Sequence, residues 1–170
     1  IIILTWNGLK YTRDCLDSLR AHTALGEDVQ VLVVDNGSTD GTVEYLRGLE
    51  WITLIENGRN LGFVGGNNVG IRAVSSESDI LLLNNDIEIE QDGWMAEIRR
   101  VAYSAEDIGI VGCRLILPDG RLLHAGAYMP RGSWWGQQIG SLEKDVNQYA
   151  LDRDVEAITG RKPRLVRKLE

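Results

Sequence analysis

Short apolar runs, each closed by a polar cluster, set the rhythm of this chain. Ile1 to Leu4 is apolar and is stopped by Thr5, Trp6, Asn7 and Gly8, which predicts a strand followed by a loop. From Leu9 to His22, Thr12, Cys15, Leu16 and Leu19 fall at i, i+3, i+4 and i+7, the spacing of a helix with one buried face. Val29 to Val34 predicts a second strand, ending at Asp35. Ser38 to Asp40 offer N-caps for a short helix over Val43 to Leu49. Trp51 to Ile55 predicts a third strand and Asn57-Gly58 a turn. A further helix is expected to start within the glycine- and asparagine-rich stretch Asn60 to Gly70 and to run to about Val74.

The run ILLLNNDIE, Ile80 to Glu88, organises what surrounds it. Its opening apolar residues, bounded by polar sequence, read as a strand buried on both faces. Gly93 to Tyr103 predicts a helix with Trp94, Ile98, Val101 and Ala102 on one face, and Ile108 to Val111 another strand. Leu115 to Leu117 and Arg121 to His124 flank Pro118-Asp119-Gly120 and predict a hairpin. After Gly126 the pattern weakens, although Val155 to Ile158 reads as one more strand. Alternating β and α to about residue 112, then a hairpin and irregular structure, predicts an α/β sheet with added elements.

Composition narrows this picture. A chain of 170 residues suits one domain with a real core, and 44% hydrophobic with 25% charged residues is globular. The net charge of −7 argues against a general nucleic-acid binder, which needs basic surface. An acidic protein that handles a phosphorylated ligand needs a local device, such as a metal or helix N-termini. The two cysteines, Cys15 and Cys113, make no disulfide framework and read as buried thiols of a reducing compartment. No apolar run approaches about 18 residues and no signal peptide is read. The chain starts at Ile1 in mid-strand and is expected to be a piece of something longer.

Three strand ends carry the candidate chemistry: Thr5-Trp6-Asn7, Asp35-Asn36-Gly37-Ser38 and Asn84-Asn85-Asp86. In a parallel sheet all three loops lie on one edge, where ligands of open α/β sheets bind. Each alone is explained by turns and caps; three together, with a Gly/Asn-rich loop between the second and third, favour a site. A carboxylate at Asp35 suits a ring N–H or ribose hydroxyls. Asp86 is the best metal ligand in the chain. A cation that takes most of its oxygens from a diphosphate needs no more than one such carboxylate. The loop from Asn60 through Gly66 and Asn67 lets backbone approach a ligand closely. It is neither GxGxxG nor GxxxxGK[ST], and GxSxG, HExxH and Cys/His clusters are absent from the sequence. His22 reads as a helix C-terminal residue and His124 as structural; Trp134-Trp135 reads as loop-anchoring core or an acceptor platform. The basic stretch Arg161 to Lys168 reads as a solvated tail before a lipid contact.

The ordered set IIILTWN at 1–7, VDNGSTDGT at 34–42, NLGFVGGNNVG at 60–70 and LLLNNDIEI at 81–89 resembles family 2 glycosyltransferases of the GT-A fold. The likeness is closest to the bacterial rhamnosyltransferase-like branch. It extends through VGIVGCRLILPDGRLLHAG and VEAITG, so it covers residues 1–160 as one nucleotide-sugar-binding domain, with 161–170 a chain end or later segment. The resemblance implies an inverting transferase using a UDP- or dTDP-sugar, Mg2+ or Mn2+, and a saccharide or lipid-linked acceptor. It implies a cytoplasmic setting, with room for peripheral association at the inner membrane face, and no nucleic-acid partner. By the same resemblance Asp35, with Asn36 beside it, contacts the base and Thr5, Trp6 and Asn7 lie along the nucleotide. Asn60, Gly66 and Asn67 belong to the segment covering the donor. The family's DxD falls on Asn84-Asn85-Asp86, with Asn84 toward the ribose, Asp86 on the metal and an amide where the first acid is usual. The family's acidic pair after an ITG-like sequence has no counterpart in RKPRLVRKLE. Residues are therefore expected to be missing between Gly160 and Arg161, or the chain to be truncated, and no general base can be named. A non-catalytic nucleotide-sugar-binding module on the same fold is the alternative. A nucleotidyltransferase would want a basic phosphate loop where Leu9-Lys10-Tyr11 stands.

Overall fold

A computed structural model of the protein describes residues 1–26, 28–124, 127–128 and 137–138. The chain divides into two compact units, residues 1–93 and 94–170. In the first unit the predicted alternation holds: β1 (Ile2–Thr5), α1 (Leu9–His22), β2 (Leu32–Asp35), α2 (Thr42–Arg47), β3 (Thr53–Glu56), α3 (Gly62–Ala73) and β4 (Leu82–Asn84). The second unit holds α4 (Trp94–Ala102) and the short strands β5 (Leu115–Ile116), β6 (Leu122–His124), β7 (Ala127–Tyr128) and β8 (Gln137–Gln138). There β5 pairs antiparallel with β6 as the predicted hairpin, and β7 with β8. The expected strand over Val155 to Ile158 lies outside the described residues, as do Trp134-Trp135 and the basic tail.

Strands β1 to β4 form one parallel sheet in the order β3-β2-β1-β4. The register sets Thr5 level with Asp35, Asp35 with Glu56, and Leu4 with Asn84. Side chains alternate across each strand, so parity sorts the core. Ile2, Leu32 and Val34 face α3, joined by Leu4, Ile55, Val69, Ile71 and Val74. Thr5 faces the other way and its hydroxyl meets that of Thr12 on α1, 2.8 Å away in a buried pair. Thr12, Cys15, Leu16 and Leu19 of α1 are buried, as their spacing predicts. Helix α2 lies beside α1, and α3 covers the opposite face because the chain must pass back over β2 and β1 to reach β4.

Helix α3 sits unusually close to the sheet, and two glycines explain why. A Cβ at Gly70 would stand 2.6 Å from Ile2 Cγ2, and one at Gly66 would run into the Leu4 side chain. The sequence suggests that the stretch holding Gly66 lets backbone approach a ligand; in the structure Gly66, like Gly70 one turn further along, stands against the sheet.

Two expectations fail. The apolar run opening at Ile80, read as a strand buried on both faces and closed by Asn84, does give a strand, β4, but Leu82 in it is 50% exposed. Among the described residues β4 pairs only with β1 and forms an edge of the sheet. An apolar run reports the residues' own hydrophobicity and carries no information on whether a second strand adjoins it. Ile108 to Val111 forms no strand, and Ile110 is 90% exposed. Three apolar side chains and a glycine, without a paired neighbour among the described residues, have no ladder to join.

Candidate functional site

All four parallel strands deliver their C-terminal ends to one rim. Strand order reverses between β1 and β4: the chain leaves β1 toward β2 but enters β4 from the far side, by way of α3. Loops leaving the sheet at such a switch diverge and open a crevice. The loop after β1 and the turn after β4 flank this crevice.

The loop after β1 is held by the loop after β2. Asn7 has φ of 57°, a left-handed conformation that asparagine tolerates. Its backbone N–H donates to Ser38 Oγ at 2.7 Å, and its Oδ1 accepts from Thr39 N at 2.9 Å. Leu9 N, at the start of α1, donates to Asp40 Oδ2 at 2.9 Å. Asp40 Oδ1 also accepts from Thr42 N at 3.2 Å and Thr42 Oγ1 at 2.5 Å. One carboxylate thus caps α1 and α2 together. The Thr42 hydroxyl, then the amides of Leu9, Thr42 and Gly8, hold its carboxyl below the ordinary value. Trp6, clasped between these anchors, is 57% exposed.

Asp35 ends β2 and is 1% exposed. Its Oδ1 accepts from Gly37 N at 2.8 Å and Ser38 N at 2.9 Å, while Oδ2 accepts from the Ser38 hydroxyl. The carboxylate therefore builds its own loop and keeps spare acceptor capacity on Oδ2 alone. Asn36 is buried among amides: it accepts from Asn57 and donates toward Asn60 and the Gly62 carbonyl. Gly66 and Asn67 are buried in α3, with Asn67 Nδ2 donating back to the Phe63 carbonyl at 2.9 Å. Asn60 is exposed at the rim.

At the end of β4 the three predicted residues separate by parity. Asn85 turns inward, and its Nδ2 donates to Thr12 Oγ1 at 3.1 Å and Thr5 Oγ1 at 3.4 Å. Asn84 and Asp86 are exposed. Their backbone is laid along α1: the Cys15 thiol donates to the Asn84 carbonyl at 3.5 Å, and Ile89 N donates to Ser18 Oγ at 3.1 Å. Burial first, then the negative charges of Asp86 and Glu88, pushes the Cys15 thiol up to about 11, so it remains a neutral donor.

Among the described residues no group of three or more His, Cys, Asp or Glu gathers to hold a metal. The donor set at Asp86 is one exposed carboxylate with the exposed Asn84 amide two residues away. That fits a hard cation whose remaining oxygen ligands come from water and a diphosphate, and does not fit an all-protein cage. His22 Nδ1 pairs with Asp92 Oδ1 at 2.9 Å in an exposed contact, and His124 ends β6.

The sequence offers Ser38 to Asp40 as N-caps for the helix that becomes α2, and Asp40 fills that place. Its second bond, to Leu9 N at the head of α1, is not legible there, nor is the bracing by Thr12 and Asn57, of which Asn57 carries only a turn signal. Thr12 had none, since at a helical core position it reads as an apolar residue.

The sequence profile of "Glycosyl transferase family 2" matches residues 1–168. An uncharacterised protein of Sinorhizobium fredii is 31% identical over 137 residues, 78% of this chain and 15% of that protein. The O-antigen biosynthesis protein RfbC of Myxococcus xanthus is 30% identical over 118 residues, 67% of this chain and 9% of that protein. The chain thus spans less than a fifth of either relative. Among solved structures, S. aureus TarS 1-349 superposes with a TM-score of 0.50 at 27% identity, covering 59% of this chain and 31% of that one. A mannosyltransferase from Pyrobaculum calidifontis, in complex with GDP-Man and Mn2+, superposes with a TM-score of 0.53 at 22% identity, covering 61% and 31%. No helix among the described residues is long and apolar enough to cross a membrane.

Proposed function

The chain belongs to glycosyl transferase family 2 and has the GT-A type of fold, and we propose that it transfers a sugar, with inversion, from a pyrimidine-nucleotide diphosphate donor to a cell-surface polysaccharide or lipid-linked acceptor. The observation that carries this reading is the sorting of polar residues at the switch point. Thr5, Asn7, Asn36, Asn67 and Asn85 are locked into internal hydrogen bonds, whereas Trp6, Asn60, Asn84 and Asp86 stand exposed on one rim. The name of the M. xanthus relative supports the polysaccharide acceptor.

In this reading Trp6 supplies an aromatic face along the nucleotide and the free lone pair of Asp35 Oδ2 meets the base. Asn84 faces the ribose. Asp86 holds the divalent cation, Mg2+ or Mn2+, which when bound neutralises charge on the departing diphosphate. The thiol of Cys15 and the hydroxyls of Thr5, Thr12 and Ser18 fix the backbone that carries Asn84 and Asp86, so these two groups are preorganised. Inversion also calls for a base to take the acceptor's proton, a role assigned to none of these rim residues. The reaction is placed on the cytoplasmic side, where activated sugars are made.

Thermal unfolding with UDP, dTDP, GDP and ADP, each with and without Mn2+, tests the reading. A ligand that binds only the native state stabilises it by about 2.7 kcal/mol at a hundred times its dissociation constant. A shift with UDP or dTDP that requires Mn2+ is expected; no shift with any nucleotide would overturn the proposal. Asp86→Ala is expected to abolish the metal-dependent shift and leave unliganded unfolding unchanged. A folded variant that keeps the shift and its metal dependence would remove Asp86 from the site.

A further inference from the structure

Three asparagine side chains run in series beneath the rim. Asn57 Nδ2 donates to Asn36 Oδ1 at 2.8 Å. Asn36 Nδ2 donates to Asn60 Oδ1 at 3.3 Å and to the Gly62 carbonyl at 3.2 Å. Asn60 Oδ1 accepts a second bond, from Gly62 N at 2.7 Å. Backbone atoms dictate the direction of every amide. The Gly62 N–H needs an acceptor, so Asn60 turns its oxygen inward. Two acceptors then face Asn36, which must answer with its NH2 and direct its oxygen at Asn57. Asn57 must in turn present its own NH2. Reversing Asn57 or Asn36 sets oxygen against oxygen, reversing Asn60 sets its NH2 against the Gly62 N–H and the Asn36 NH2, and Asn36 is only 2% exposed, too buried for water to compensate. The two loops also abut: a Cβ at Gly37 would lie 2.8 Å from the backbone of Arg59.

The consequence appears at the exposed end. With its oxygen doubly engaged inward, Asn60 has only its NH2 left to offer on the rim. We propose that Asn60 is a donor-only contact for the nucleotide, hydrogen-bonding an acceptor oxygen of a nucleoside diphosphate, with Asn57 and Asn36 as positioning residues that fix this polarity. The proposal rests on the nucleotide-binding reading given above. It gives Asn57, half-buried just past the end of β3, a part in binding without a contact of its own: the far end of the chain determines what the near end can offer.

Asn60→Asp separates this role from a structural one. The variant keeps an inward oxygen for Gly62 N and Asn36 Nδ2, and replaces the outward NH2 with a second oxygen. Its unliganded unfolding temperature is expected to stay within a few degrees of wild type. Its dissociation constant for UDP with Mn2+, by calorimetry, is expected to rise at least tenfold. The loss should persist in about 1 M salt, where a Debye length of about 3 Å removes long-range repulsion. A loss shared by uridine puts the partner oxygen on the nucleoside; a loss confined to UDP puts it on the diphosphate. Asn57→Asp, which sets a carboxylate oxygen against Asn36 Oδ1, is expected to weaken UDP binding and to add nothing further in the Asn60→Asp background. Equal UDP affinity of Asn60→Asp and wild type at high salt would overturn the proposal and leave the nucleotide reading standing, and additive losses in the double variant would overturn the positioning role. A wild-type protein that binds no nucleotide would remove both readings.

Discussion

Asp40→Ala is expected to destabilise the protein by about 2 kcal/mol at neutral pH, because one carboxylate starts two helices. It accepts from Leu9 N at 2.9 Å at the head of α1, and from Thr42 N at 3.2 Å at the head of α2. The residues before each helix, Gly8 and Gly41, are left-handed and have no side chain to cap with. A capping side chain is worth about 1 kcal/mol, so losing both caps gives about twice that. The pH dependence follows from the lowered carboxyl of Asp40. Its folded value lies below the ordinary 3.8, so the charged form stabilises the native state above that value. This contribution is lost as pH falls through the lowered folded value. Urea unfolding of wild type, Asp40→Ala and Asp40→Asn from pH 6 to pH 3 isolates it, because other carboxylates cancel in the differences. The gap between wild type and Asp40→Ala should narrow toward acid. Asp40→Asn should lie between them, since asparagine caps well but lacks the charge that favours each helix dipole by about 0.3–1 kcal/mol. A gap under about 0.5 kcal/mol at pH 6, or one that does not change down to pH 3, would refute the double cap.

Gly70→Ala places a Cβ 2.6 Å from Ile2 Cγ2 and 3.2 Å from Val34 Cγ2, two stiff β-branched side chains in the core. The expected overpacking of about 1–3 kcal/mol outweighs a helix-propensity gain of about 1 kcal/mol, so the urea midpoint should fall; a rise would mean that α3 is not seated on β1 and β2 as described. Cys15, pushed up to about 11 mainly by burial, should react with a thiol reagent far more slowly at pH 8 in the native protein than in urea, measured in a Cys113→Ser background. Equal rates in the two conditions would contradict its burial.

The fold was legible where one physical signal acts alone. The spacing of Thr12, Cys15, Leu16 and Leu19 gave α1 with the bounds observed, Leu9–His22, because burial of one helical face is the demand that sets its periodicity. The β-α alternation was enough to put the loops after β1, β2 and β4 on one edge, and the register bears this out. Neighbours were not legible. The apolar run before Asn84 reads the same whether one strand or two adjoin it, and the run at Ile108 to Val111 reads as a strand although nothing among the described residues pairs with it. Gly66 announced a close approach but not what approached, since the absent Cβ is equally useful against a ligand and against Leu4.

Within the site the sequence gathered the polar residues but could not divide their labour, because an amide that braces and an amide that binds are the same residue type. The direction of the turn after β4 was the missing step: Asn85 turns inward to meet Thr5 and Thr12, while Asn84 and Asp86 on either side of it stay exposed. The same division runs through Asp35, whose carboxylate is spent mostly on its own loop, and through Asn36, which is buried entirely among amides. It follows that bracing and binding should fail differently. Loss of a rim group removes affinity and leaves the fold, whereas loss of a brace costs stability first and affinity through it. Asn60 belongs to both classes at once, with its oxygen on the brace and its nitrogen on the rim. For that reason it is the position at which exchanging a single atom, amide nitrogen for carboxylate oxygen, can take binding away without touching the scaffold.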